Sequence, residues 1–209
     1  MIEAGANALA ERGGRPILRD THAKGHGCVA ATFTFTTDAA VAPDLKKGVF
    51  AEVRSYPAWI RFSNGSPMPE EDRIGDVRGM AIKLVGVPGP KLLPDESAAV
   101  TQDFVLVDFP RFSLRDALEY VPFTKLALEG MREAHFESKP DQKEILHEME
   151  SRSVNHLFAQ RYFSMTPSLL GKRPVKLGAA GRVRGERRLR SEAGGERSER
   201  PAGGHANVA

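Results

Sequence analysis

With 209 residues, 41% of them hydrophobic and 27% charged, the chain is long enough for one core and ordinary in composition for a globular protein. No apolar run approaches the roughly 18–20 residues of a membrane span. The opening stretch MIEAGANALAERGGRP lacks the apolar centre of an export signal, and the single cysteine, Cys28, excludes an internal disulfide or a cysteine-built zinc or iron–sulfur site. A lone cysteine also fits a reducing, cytoplasmic compartment. The net charge of +3 belongs to residues 178–209, which hold seven Arg and four Glu, while the other 23 basic and 23 acidic residues balance. The pI near 9.1 therefore describes the end of the chain and gives no reason to expect a nucleic-acid partner for the core.

Residues 1–15 read as an N-terminal extension. The cluster RDTHAKGHGC (19–28) follows, with His22 just before the first strand pattern and Gly25 and Gly27 allowing tight backbone turns. A lone histidine in such a loop is more often a polar loop residue than a catalytic one. CVAATFTFTT (28–37) alternates, with Val29, Ala31, Phe33 and Phe35 on one face. AWIRFSN (58–64) follows Tyr56-Pro57, read as a breaker. Trp59, Arg61 and Ser63 share one of its faces and Ile60 and Phe62 the other. An arginine and a serine between bulky apolar residues suggest a ligand contact, or else a solvated strand face.

RGMAIKLV (78–85) is the third strand pattern, and Arg73, Asp76 and Arg78 leading into it read most simply as a surface ion-paired turn. DFVLVDF (103–109) is the fourth and ends at Pro110. On it Asp108 shares a face with Phe104 and Leu106, which directs its carboxylate towards the interior of a barrel or, more ordinarily, into solvent. Beyond Pro110 the pattern turns helical. Ser113 with Asp116 resembles an N-cap and its acid, Pro122 bends or divides the helix that follows, and 141–163 reads as a second helical region. Strands first and helices after indicate an α+β domain with a curved antiparallel sheet.

The 11 Phe, 3 Tyr and 1 Trp all precede residue 178. The remainder is rich in Arg, Gly, Glu and Ala and is expected to be a disordered tail.

Taken jointly, THAKGHGC, YPAWIRFSNGSP, GDVRGMAIKL and TQDFVLVDFP, with the order RxxHAKGxG, RFS, DxRGxAxK and P-x-F-x-x-R-D-A, resemble the catalase superfamily. They are most similar to its short catalase-related haem proteins, which include peroxidases and allene oxide synthases. RYFSMTPSLLGKRPVK (161–176) resembles a further stretch of that group, so the likeness spans about 16–177.

The resemblance implies a partial catalase-like β-barrel followed by helices, with haem as cofactor. Hydrogen peroxide or an organic or lipid hydroperoxide is the implied substrate, and homo-oligomerisation stays open. His22 matches the distal histidine, which moves a proton between peroxide oxygens, and Ser63 matches the serine that orients it. Arg19 and Arg61 match arginines that pair with haem propionates. Thr21 stands where a side chain covers the haem face, and Phe112 matches a phenylalanine near it. Asp108, or Val107 if one gap is moved, falls where catalases carry an asparagine, and an ionised aspartate cannot donate a hydrogen bond.

The family's iron ligand is a tyrosine in a late R-x-x-x-Y pattern. Tyr56, Tyr120 and Tyr162 do not sit in it. The abrupt change after Lys176 therefore reads as a truncated or frameshifted frame, and little catalase turnover is expected. The competing expectations are an impaired catalase/peroxidase-type oxidoreductase and a non-catalytic remnant that binds haem weakly or not at all. An RNA-associating role carried by the basic tail ranks last, because the tail has no aromatic residue on which bases could stack.

Overall fold

The computed structural model describes residues 18–19, 21–36 and 41–181, with isolated positions 7 and 11 and the short stretch 206–208. Most of the expected N-terminal extension (1–15), and most of the expected disordered tail (178–209), lie outside the described residues.

Four long strands follow one another in antiparallel register: β1 (Gly25–Phe35), β2 (Arg54–Asn64), β3 (Arg78–Val85) and β4 (Thr101–Val107). Two helices come next, α1 (Ala117–Leu128) and α2 (Pro140–Glu150). The chain then returns to the sheet as β5 (Arg161–Ser164), makes the small hairpin β6 (Ser168–Leu170) and β7 (Arg173–Val175), and ends the antiparallel run with β8 (Leu177–Ala180). The order β1-β2-β3-β4-β5-β8 forms a curled half-barrel of six antiparallel strands, so the architecture is α+β with a partial barrel. Residues Ala206–Val208 (β9) run parallel to β8. Among the described residues no helix is long and apolar enough to cross a membrane.

Alternation gives the sheet two faces of different character. The inner face carries Phe35, Tyr56, Phe62, Ile82, Leu84, Phe104, Leu106 and Tyr162, packed as one cluster. Each fully buried aliphatic or aromatic side chain of this kind contributes about 1.5–3 kcal/mol. A second cluster, Leu114, Phe136 and Leu146 with Phe112 and Phe123 against it, joins the helical segment.

Several local expectations are revised. The N-cap of α1 is Asp116, not Ser113. Its Oδ1 accepts from Glu119 N–H at 2.8 Å, and Glu119 Oε2 accepts from the N–H of Arg115, just ahead of the cap, at 2.7 Å, so the helix is capped three residues later than expected. Pro122 lies inside α1 without dividing it. The second helical region stops at Glu150, and residues 161–163 belong to a strand instead, where Tyr162 fills the inner face and Phe163 pairs with Val107. Pro57 is not a breaker but sits within β2, opposite Thr32 of β1. Its side towards β3 is beyond the first β2–β3 pair, Ala58 with Leu84, so its missing N–H interrupts no ladder there.

Candidate active site: His22 on the outer face of the half-barrel

The outer face is built from cross-strand rows. Gly25, Ser63, Gly79 and Val107 form one row, and Cys28, Arg61, Ala81 and Val105 the next. Ala30, Trp59, Lys83 and Asp103 form a third. The first two rows are mostly small residues, which leaves an open floor. Trp59 and Val105 are exposed on it.

His22 stands at the edge of this floor. Its Nδ1 lies 3.0 Å from Ser63 Oγ, and its ring passes over Gly79, where a Cβ would lie only 2.7 Å from Cε1. Arg61 comes from the neighbouring row and donates through one guanidinium N–H to the His22 carbonyl at 2.8 Å. Gly25 has no side chain to obstruct it: a Cβ there would lie 3.4 Å from that guanidinium. The structure therefore brings His22, Ser63 and Arg61 together, as the strand alternation suggests.

Burial pushes the His22 imidazole below its ordinary value. The Asp76 carboxylate pulls it up, Arg61 and then Arg19 push it down, and a hydrogen bond with the Asn64 backbone raises it. Arg19 thus bears on the same site electrostatically although its side chain is exposed. Arg61 is itself lowered, first by burial and then by Arg19. Among the described residues neither arginine has an ion-pair partner, so together they can hold an anionic group. Thr21 is exposed beside His22.

The other expected site residues lie elsewhere. Asp108 follows β4 and is buried. Its Oδ1 accepts from Arg78 N–H at 2.8 Å, and its Oδ2 lies 3.7 Å from Arg152 Nε with no hydrogen-bond partner. Burial raises its carboxyl, while the Arg78 N–H, Arg152 and the Arg78 guanidinium oppose that rise. Phe112 belongs to the helical cluster and stacks on Tyr120 at 6.5 Å between centroids. It also lines a cavity of about 610 Å³ with Phe50, Phe104, Leu106, Leu170 and Val175, which His22, Ser63 and Arg61 do not reach.

Two residues near the site were given no role there by sequence. Asp76 is the carboxylate whose charge bears on His22. His26, in a bulge between Gly25 and Gly27, meets the buried amide Oδ1 of Asn64 through Nε2. The alternate spacing of His22 and His26 was the available signal for the second. Among the described residues no group of three or more His, Cys, Asp or Glu could hold a metal ion.

Comparison with known proteins gives one sequence relative. Over 86 residues the chain is 41% identical to a catalase-related peroxidase of Mycolicibacterium paratuberculosis (strain ATCC BAA-968 / K-10). The match is catalase-like. It covers 41% of this chain and 24% of that protein, so the chain spans about a quarter of its relative's length. No protein-family model and no solved structure matches.

Proposed function

We propose that this chain is a catalase-like peroxidase module in which His22 moves a proton between the two oxygens of hydrogen peroxide or of an organic hydroperoxide. The observation that carries the reading is the His22–Ser63 pair at 3.0 Å on a floor of small residues, with the Arg61 guanidinium alongside. An imidazole held below its ordinary value is neutral near pH 7 and can accept a proton. If Nδ1–H donates to Ser63 Oγ, the lone pair of Nε2 is left free for that work. Asp108, engaged with Arg78 and Arg152, stays outside this proton path.

Haem, when bound, supplies the redox centre of this chemistry. The residues on the His22 side fit it. Arg19 and Arg61 offer guanidinium forks for its carboxylates, and the small residues of the rows through Gly79 and Ala81 leave room for its plane. The tyrosines do not fit the role of iron ligand. Tyr56 and Tyr162 lie in the core on the inner face, Tyr162 donating its hydroxyl to the Leu157 carbonyl at 2.9 Å, and Tyr120 lies on α1. Burial, and then the Asp108 charge, also raise the Tyr162 phenol, which disfavours the phenolate a ligand needs. That placement favours the second reading, a non-catalytic remnant of a catalase-like barrel that binds haem weakly or not at all.

Titration with haem separates the two. Saturable binding with a defined Soret band, weakened by Arg61→Ala, supports the first reading. Peroxide turnover above free haem that disappears in His22→Ala completes it. A featureless haem spectrum, insensitive to Arg61→Ala, leaves the remnant.

A further inference from the structure

His22 has φ 55°, a left-handed backbone conformation that non-glycine residues seldom adopt. Two hydrogen bonds hold it there. His22 N–H donates to the Gly65 carbonyl at 3.1 Å, and Ala23 N–H to the Ser66 carbonyl at 3.3 Å. The histidine is therefore fixed by the corner Gly65–Ser66, just past the end of β2.

That corner is fixed in turn by one carboxylate. Ser66 N–H donates to Asp76 Oδ2 at 2.9 Å and Val77 N–H to Asp76 Oδ1 at 2.8 Å, while Gly65 N–H donates to the Val77 carbonyl at 2.8 Å. The packing leaves no slack: a Cβ on Gly65 would lie 2.3 Å from Val77 Cγ1 and 3.0 Å from Asp76 Oδ1. Asp76 is buried and anchored from behind. Its N–H donates to the Arg152 carbonyl at 3.1 Å, and Arg78 Nη1 lies 3.7 Å from its Oδ2.

We propose that Asp76 is the positioning residue of this site: its buried carboxylate ties Ser66 to Val77 and so sets the corner that holds His22 in its left-handed bend above Ser63. The proposal extends the reading of His22 as the proton-transfer residue, but it concerns how the ring is placed, not what the ring does. It also gives the acid of the DVRG turn a task that a surface ion pair would not have. The charged groups that bear on the His22 ring are Asp76, Arg61 and Arg19, and of these only Asp76 is negative.

The test is NMR on the full chain without cofactor, so that peroxide turnover does not enter it. In Asp76→Ala, the amides of His22 and Ala23 exchange roughly ten-fold faster or more, while those of Ile82 and Leu106 in β3 and β4 keep their protection. Asp76→Asn retains an acceptor oxygen but no charge. It keeps only one of the two carboxylate bonds and turns an NH2 donor on the other N–H, so the His22 and Ala23 amides lose part of their protection. Unchanged exchange at His22 and Ala23 in a folded Asp76→Ala chain overturns the proposal. If the alanine variant does not fold, parent-like exchange at His22 and Ala23 in Asp76→Asn overturns it. If the amides open as expected while no form of the chain acts on peroxide, the positioning role stands and the peroxide reading falls.

Discussion

Gly79→Ala should displace the His22 ring without touching the histidine itself. The added methyl would lie 2.7 Å from His22 Cε1, 2.8 Å from Nδ1 and 2.9 Å from Ser63 Oγ. Real contacts are not that short, so the ring must lift. The backbone offers no resistance, because Gly79 is not among the positive-φ glycines. A compatible Gly→Ala change taken alone would stabilise by about 0.4–1 kcal/mol through the unfolded chain. Against this stand overpacking of about 1–3 kcal/mol and a lost hydrogen bond of about 0.5–1.5 kcal/mol. The net is a loss of roughly 0.5–4 kcal/mol, at about 2–4 °C in melting temperature for each kcal/mol in a chain of this size. The lifted ring is better solvated, so its titration moves up towards the ordinary value. Gly27→Ala is the control: nothing lies within 4 Å of its would-be Cβ, and it should be neutral or slightly stabilising. Urea unfolding and the His22 titration check both. A Gly79→Ala chain as stable as the parent, with an unmoved His22, would refute the packing on which the site rests.

Other consequences are equally direct. Glu119 is held down to about 2, first by Lys139 and then by the Arg115 N–H, so it stabilises the fold above its unfolded value of 4.5 and loses that contribution as pH falls from 4.5 towards 2; Glu119→Gln should flatten this part of the acid-unfolding curve. His22 resists protonation in the fold, so stability should decline as pH falls below 6.5, and His22→Gln should remove that decline in urea titrations. Tyr162→Phe deletes the bond to the Leu157 carbonyl and should cost about 0.5–1.5 kcal/mol, while leaving any haem spectrum unchanged; a lost Soret band would make Tyr162 a ligand after all.

The first half of the fold was legible because its strands are long and strongly alternating. RGMAIKLV was bounded at both ends, and the division of β2 into an Arg61–Ser63 face and a Phe62 face follows from period two alone. The second half was less legible. RYFS is too short to announce a strand, and LGAA of β8 is poor in strand formers and gains its place by pairing with β5. That pairing carries the sheet three residues past Leu177. At the site, His22, Ser63 and Arg61 were found by motif and order. Asp76 was passed over because an acid between arginines in a turn looks the same in sequence whether it is solvated or buried. Its contacts to Ser66 and Val77 depend on two loops meeting in space.

The two-faced sheet also makes the domain unusually sensitive to insertions and deletions. Within β2, Tyr56, Ala58 and Phe62 face the core while Trp59, Arg61 and Ser63 face outward. One residue gained or lost near Pro57 would reverse every later side chain of that strand, carrying Arg61 into the aromatic core and Phe62 onto the floor beneath His22. The loop segments 67–75 and 86–100, by contrast, can change length without altering which face a strand residue occupies. Related sequences should therefore differ in length in those loops and keep an uninterrupted count from Arg54 to Asn64.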